Sequence, residues 1–440
     1  MEVLTRNKEL IDFDENKIKE LLVFLSEIEP RINLSEEEIK NTIEELKKEV
    51  YDGIETKELN NLLIRILAER ISIQKPYYEY LAARVLLFNL YKEVAEKRNY
   101  KIDEKDFNPY NPEKFVEAIY KGVKKGIYGD YLIKEYSKEE LLEYTKLIDW
   151  KRDFLFKYVG LKVLVDRYLI KDENKEIFEL PQEMYLLIAL TLAIPEKKEK
   201  RREWVKKFYD VLSLHKVTVA TPTLMNARRK FPQLSSCFVA SIDDDLFDIY
   251  DNLQKIAMIS KFAGGLGVYV GKIRGKGSSI QNYKGACSGV IPVVRLINDT
   301  TVYVDQLGMR KGSASVTLDI WHYDILDFLE VKTTHGDERL KAHDIFPAVS
   351  IPDLFMKRLK KFLETNESQE WTLFDPYSVR HYLAKKLFEK LKNNYNFKVK
   401  KLSNNSFDYK LIFENEEEAK KFEKEKDKFL TFLRENNVIF

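Results

Sequence analysis

The sequence predicts an α/β protein: a helical first half, a parallel α/β region from about residue 216, and a small α-β-β-α element at residues 381–440. Three observations predict it. Apolar residues recur at helical spacing through the first half. From residue 216, short runs (Val217-Thr218-Val219, Gly267 to Val270, Ser315-Val316-Thr317-Leu318) alternate with helical stretches such as Asp244 to Phe262, the pattern of parallel strands joined by helical crossovers. In the tail, Leu383, Leu387, Phe388 and Leu391 mark one helical face. Phe397 and Val399 alternate, as do Phe407, Tyr409, Leu411 and Phe413, before a last helix with Phe422, Phe429, Leu430 and Leu433.

The elements follow in order. Val3 to Phe13 predict a hairpin and Glu15 opens a helix. Ser35 with Glu38 spells a capping box, after which Ile39, Ile43, Leu46 and Val50 share a face, and Tyr51-Asp52-Gly53 ends the helix. Leu59, Leu62, Leu63, Ile66 and Leu67 mark a third helix, and a fourth starts after Pro76. Residues 96 to about 215 read as helices separated by connectors such as Asn108-Pro109-Tyr110-Asn111-Pro112. Met184 to Ile194 reads as a buried helix too short to span a bilayer.

Composition narrows the function classes. With 440 residues the chain can form two to four domains. Its 74 basic and 72 acidic residues balance, which argues against nucleic acid or an acidic membrane surface as the main partner. Two cysteines, Cys237 and Cys287, make neither a disulfide framework nor a zinc site, and a reduced cytoplasmic setting suits them. The five histidines, at 215, 322, 335, 343 and 381, have no metal-ligand spacing, so no metal site is expected.

Several residue groups suit nucleotide chemistry. A thiol such as Cys237 can deliver electrons if a second thiol is in reach. Thr221, Ser235 and Ser236 can hold a phosphate or ribose through hydroxyls and backbone amides. Gly264-Gly265-Leu266-Gly267 suggests a loop but is not the dinucleotide fingerprint, and no P-loop is present.

Taken together, Ala220-Thr221-Pro222-Thr223-Leu224-Met225-Asn226, Gln233-Leu234-Ser235-Ser236-Cys237-Phe238, Ser260-Lys261-Phe262-Ala263-Gly264-Gly265-Leu266-Gly267 and Val304-Asp305-Gln306-Leu307-Gly308-Met309-Arg310 resemble the large subunit of class I ribonucleotide reductases. The resemblance covers about residues 1 to 376. It implies an ATP-cone-like domain (1–95), a helical domain (96–215), the first half of a ten-stranded α/β barrel (216–380) and a tail outside the family (381–440). It implies that Cys237 is one of the two cysteines that reduce the ribose, that Thr221, Ser235, Ser236 and Arg310 bind substrate, and that Asp244, Lys261, Arg274, Ile280 and Gln306 bind an effector dNTP. Nucleotide contacts in the cone would be Val3, Arg6, Lys17, Thr56 and Lys92. The family's basic-basic-acidic-Gly start is here Thr5-Arg6-Asn7-Lys8, and Leu307 stands where a glycine is common. Cys287 matches no catalytic position and is expected to be inert.

The resemblance also sets the expected partners: a ribonucleotide, ATP or dNTP effectors, a second copy in a homodimer, a small subunit supplying the radical cofactor, and a polypeptide carrying the rest of the barrel. No Asn-x-Cys-x-Glu finger loop for a radical cysteine occurs in the 440 residues, so a split subunit with the tail as docking element is expected. The tail also resembles fragments of homing endonucleases or inteins, without a splice-site pattern. The cobalamin-dependent reductase class, an inactive nucleotide-binding regulator and an assembly module remain the alternatives.

Overall fold

The computed structural model describes residues 2–5, 8–102, 108–281, 283–306, 310–383, 386, 397–401, 409–413 and 415–435. The chain forms two compact units, Met1–Ser236 with Phe262–Gly264, and Cys237–Lys261 with Gly265–Phe440. The division falls after Ser236, so residues 216–236 belong with the helical unit and not with the sheet.

The first unit opens with β1 (Glu2–Leu4), paired antiparallel to β2 (Leu10–Asp12) and parallel to β3 (Ile54–Glu55). Helices α1 (Glu15–Ile28), α2 (Glu36–Glu49), α3 (Thr56–Glu69) and α4 (Tyr78–Lys97) bury Leu22, Leu25, Leu46, Ile54, Leu63 and Leu67 in one core. The expected capping box forms: Ser35 Oγ accepts the Glu38 N–H and the Glu38 carboxylate accepts the Ser35 N–H. Gly53 does adopt a left-handed φ of 79°, but it lies beyond the C-cap Val50 and donates its N–H to Glu2 O. It turns the chain into β3 and does not cap the helix.

A bundle follows: α5 (Pro112–Lys124), α6 (Tyr131–Glu135), α7 (Lys138–Thr145), α8 (Tyr158–Val163), α9 (Pro181–Ala193), α10 (Lys198–Ser213) and α11 (Thr221–Asn226). Its axis is α9, apolar all round and buried on nearly every side, as a central helix must be. Val217-Thr218-Val219, expected as a strand, is not one. Val219 packs on the helical core and Val217 is half-exposed, so the run is an extended lead into α11.

One buried cation joins the cone to the bundle. Arg84 on α4 donates to the Glu29 carboxylate at 2.8 and 3.0 Å and to the carbonyls of Phe154 and Phe156. Arg31 makes a second, bidentate contact with Glu29. Burial pulls the Glu29 carboxyl upward, but hydrogen bonds from Arg31 and Arg84 win and hold it below its ordinary value.

The second unit is built on a parallel sheet of four strands in the order β4 (Cys237–Ser241), β5 (Gly265–Tyr269), β8 (Ala314–Asp319), β9 (Phe346–Ser350). The glycines of Gly264-Gly265-Leu266-Gly267 therefore lie in or beside strand β5 and form no loop. Helices α12 (Leu246–Lys261), α13 (Ile291–Tyr303) and α14 (Ile325–Leu329) cover the face carrying Leu266, Val268, Val316 and Leu318. The short β6 (Asp305–Gln306) and β7 (Arg310–Lys311) pair antiparallel between α13 and β8. After β9 come α15 (Asp353–Thr365) and α16, described over residues 376–383. The tail's two strands form as expected: β10 (Phe397–Lys401) and β11 (Tyr409–Phe413) pair with Phe397 opposite Phe413, followed by α17 (Glu416–Glu435). Phe413 packs on Phe422 at 4.9 Å. Leu387, Phe388, Leu391 and Phe407 lie outside the described residues. No helix among the described residues is long and apolar enough to cross a membrane.

Removing one partner of a buried ion pair costs about 3–5 kcal/mol. Arg84→Met is therefore expected to destabilise the first unit by about that amount and to speed amide exchange over residues 150–156, while Glu29→Gln with Arg84→Met recovers much of the loss. Urea denaturation and hydrogen exchange check this.

Candidate functional site

The second unit gathers polar chemistry at the C-terminal ends of its strands, where ligands of parallel sheets bind. Past β4 come Asp243, Asp244 and Asp245, and past β5 the segment 270–290. Past β8 lie His322 and Asp324. Of the three aspartates, Asp243 pairs with Lys272 at 2.8 Å and Asp245 accepts the Asp248 N–H, near the start of α12. Asp244 holds Arg274: its carboxylate accepts the Arg274 backbone N–H at 3.0 Å and the Nε–H at 2.9 Å. Both side chains are largely buried, and the Arg274 Nη1 donates to Ser279 O. Asp244, expected to bind the effector, here orients Arg274.

The segment after β5 is pinned by carboxylates. Asp324 accepts the N–H groups of Lys276 (2.9 Å) and Val290 (2.8 Å), one at each end of the loop. Gly289, with φ 81°, is required here, because a Cβ would lie 2.3 Å from Asp324 Oδ2. Asp375 accepts the Gly275 N–H at 2.8 Å. Burial pulls the Asp375 carboxyl upward, but Ser378 and the Gly275 amide outweigh it and keep it below the ordinary carboxylate range. His322 is buried; its Nε2 hydrogen-bonds Ile273 O, and its Nδ1 accepts the Asp324 N–H. Inside the loop, Gly277 N donates to Cys287 O and Cys287 N to Ser278 O. Burial pushes the Cys287 thiol up, a poor setting for a reactive thiolate. Ile280 is exposed at the loop's tip, bridged to Tyr283.

Cys237 opens β4, so on the order of 13 Å of strand separates it from the end leading to Asp244. It is exposed and shares the helix-free face of the sheet with Val239, Gly265, Gly267, Ser315 and Thr317. A disulfide needs Cα atoms within about 7 Å, so the loop cysteine, Cys287, is no partner for Cys237.

Lys261, expected beside Arg274, ends α12, which Asp244 precedes. Sixteen helical residues put roughly 24 Å between those ends. Gln306 and Arg310 oppose each other in the β6–β7 pair; Leu307, Gly308 and Met309 lie outside the described residues. In the first unit, Thr221 begins α11 and its Oγ1 lies 3.2 Å from Tyr168 Oη. Asn226 Nδ2 donates to the carbonyls of Gln233 and Phe262, fixing the turn that leads to Ser235 and Ser236. Of the cone residues, Val3 in β1 and Thr56 at the start of α3 come together, Thr56 Oγ1 donating to Leu4 O. Lys17 and Lys92 are exposed on α1 and α4, Lys92 over the Phe88 ring, and Arg6 lies outside the described residues.

Comparison with known proteins decides the family. Residues 235–421 match the ribonucleotide reductase barrel domain and residues 154–232 its all-alpha domain, together more than half the chain; residues 1–93 match the ATP cone domain. The chain belongs to the ribonucleotide reductase large-subunit family. The chain is 41% identical over 333 residues to the ribonucleoside-diphosphate reductase subunit alpha of Treponema pallidum, covering 76% of this chain and 37% of that protein. It is 36% identical over 379 residues to the subunit alpha of Helicobacter pylori strain J99 (86% and 44%). To large chain 2 of Saccharomyces cerevisiae it is 39% identical over 329 residues (74% and 35%). The chain thus spans less than half the length of these relatives. The barrel-domain match runs to residue 421, so residues 381–421, expected to lie outside the family, fall within it.

Asp324→Ala is expected to free both ends of the 275–290 loop at a cost of about 1–3 kcal/mol, the penalty for orphaned buried amides. Amide exchange at Lys276 and Val290 should rise while β5 and β8 stay protected.

Proposed function

We propose that this chain supplies the substrate-side cysteine and the effector-nucleotide site of a ribonucleoside-diphosphate reductase. The observation that carries the reading is the Asp244–Arg274 pair: Asp244 follows the strand that Cys237 opens, and Arg274 stands on the carboxylate-pinned loop after the neighbouring strand β5. A guanidinium held by its Nε and Nη1 is oriented in advance for phosphate oxygens, as Arg recognition of triphosphates requires. In the reaction, two thiols each give up a proton and an electron and join as a disulfide. The ribose 2′ carbon loses its hydroxyl as water and gains hydrogen. Cys237 is one of those thiols; the second thiol, the radical cysteine and the radical cofactor come from beyond these 440 residues. The substrate is a ribonucleotide held by Thr221, Ser235, Ser236 and Arg310, and ATP or a dNTP is the effector.

The position of Lys261 supports a homodimer. Phe247, Tyr250, Met258 and Lys261 fall on one stripe of α12, and the three apolar residues are 86%, 56% and 52% exposed. Antiparallel pairing of two such stripes buries them and brings Lys261 of one copy to the Asp244 end of the other. A reduced cytoplasmic setting suits a chain with two cysteines.

The 440-residue chain alone is expected to show no ribonucleotide reduction with any radical subunit and reductant. In an enzyme reconstituted with the missing residues, Cys237→Ser should abolish turnover and Cys287→Ser should leave most of it, read as deoxynucleotide formed per minute; equal loss from both contradicts the assignment. Arg274→Ala and Lys261→Ala are each expected to weaken dTTP binding by tenfold or more in calorimetry. Phe247→Asp should give a monomer by light scattering and weaken dTTP binding with it; a monomer that binds dTTP normally contradicts the shared site.

A further inference from the structure

Beside the Asp244–Arg274 pair lies a segment that none of the reductase motifs includes. After α15 the chain is zipped along the end of β8: Trp371 Nε1 donates to Ile320 O, Phe374 N to Trp321 O, and Tyr323 N to Phe374 O. Asp375 then grips Gly275 with one carboxylate oxygen and Ser378 with the other, capping α16 in place. The first turns of α16 therefore stand on the loop that carries Arg274. The Tyr377 ring lies 4.2 Å from the Arg274 guanidinium, a stacking distance. Arg380 reaches the carbonyl of Lys272, and its Nη2 is 3.8 Å from Asp244 Oδ2. Its side chain is 40% exposed, so part of the guanidinium faces solvent at the rim of the site.

We infer that Arg380 is a second phosphate-binding cation of the effector site, and that Tyr377 is a positioning residue for Arg274. The inference rests on the effector reading above and adds residues to it. A triphosphate takes several cations: besides Arg274 and, by the dimer reading above, Lys261 of the second copy, Arg380 adds one from Arg274's own chain, whose own Lys261 sits at the far end of α12. Arg274 and Arg380 both adjoin the carboxylate of Asp244, which brings the two guanidinium groups to one point. Arg274 is fixed on three sides, by Asp244, Ser279 O and Tyr377, while Arg380 donates to the carbonyls of Lys272 and Pro376 and keeps its side chain 40% exposed, open to a ligand at the rim. The ligand class is a nucleoside triphosphate, with the terminal phosphates taken by Arg380.

The test is calorimetric titration of the full 440-residue chain with dTTP, dTDP and deoxythymidine. For Arg380→Ala, a roughly tenfold loss in dTTP affinity is expected, a smaller loss for dTDP, and a shallower salt dependence of dTTP binding. Arg380→Lys should retain most of the affinity, and Arg380→Glu, a charge reversal at a partly exposed position, should lose more than Arg380→Ala. Tyr377→Leu should weaken dTTP binding severalfold, with rescue by Tyr377→Phe, which keeps the ring. If Arg380→Ala and Arg380→Glu bind dTTP as tightly as the wild type while Arg274→Ala does not, the Arg380 inference is overturned and the effector reading stands. If Arg274→Ala also binds normally, or the wild type binds no triphosphate, the effector reading itself falls and this inference with it.

Discussion

Among the described residues of the second unit, a four-stranded parallel sheet with helices packed on one face is the constraint on which that unit depends. Parallel strands need crossovers, and α12, α13 and α14 cover the face with Leu266, Val268, Val316 and Leu318. The other face keeps small and polar residues, Gly265, Gly267, Ser315 and Thr317, in register with Cys237 and Val239. Val239 is 93% exposed in edge strand β4, and Phe346 is exposed in edge strand β9. Parallel sheets are normally covered on both faces and closed at their edges, and in the proposed reading the face with Cys237 is the interior of the barrel.

The same topology separates two chemistries along one strand. Cys237 opens β4, while Asp244 follows its other end. In the proposed reading, an effector at Arg274 and a substrate at Cys237 would sit at opposite ends of this sheet. Carboxylates hold the effector loop because backbone amides at its turns have no strand partner: Asp324, Asp375 and Asp244 each take one or more of them. In the first unit Arg84 and Glu29 work in a similar way, one buried pair tying the cone's helices to carbonyls of the bundle.

Local features were legible in the sequence, and long-range ones were not. The Ser35–Glu38 box, the buried helix around Met184 to Ile194 and the β10–β11 pair follow from neighbours a few residues apart. Val217-Thr218-Val219 misled because β propensity needs a partner strand, and there the helical core takes Val219 instead. The glycines before Val268 hid a strand, since glycine weakens strand patterns wherever another backbone or ligand must come close. Motif resemblance pointed to Asp244 and Arg274. It missed Asp324 and Asp375, whose amide partners are 48 and 100 residues away, and it missed Tyr377 and Arg380, which follow the last recognisable motif.

The central claim is that this unit binds an effector nucleotide at the Asp244–Arg274 pair of one chain with help from a second copy. A structure of the chain determined with dTTP tests it most directly. Phosphate oxygens are expected within hydrogen-bond distance of Arg274, a ribose hydroxyl on Asp244, and Lys261 of a second copy at the same nucleotide. Nucleotide bound elsewhere, with the Asp244–Arg274 pair untouched and α12 of each copy facing solvent, would contradict it.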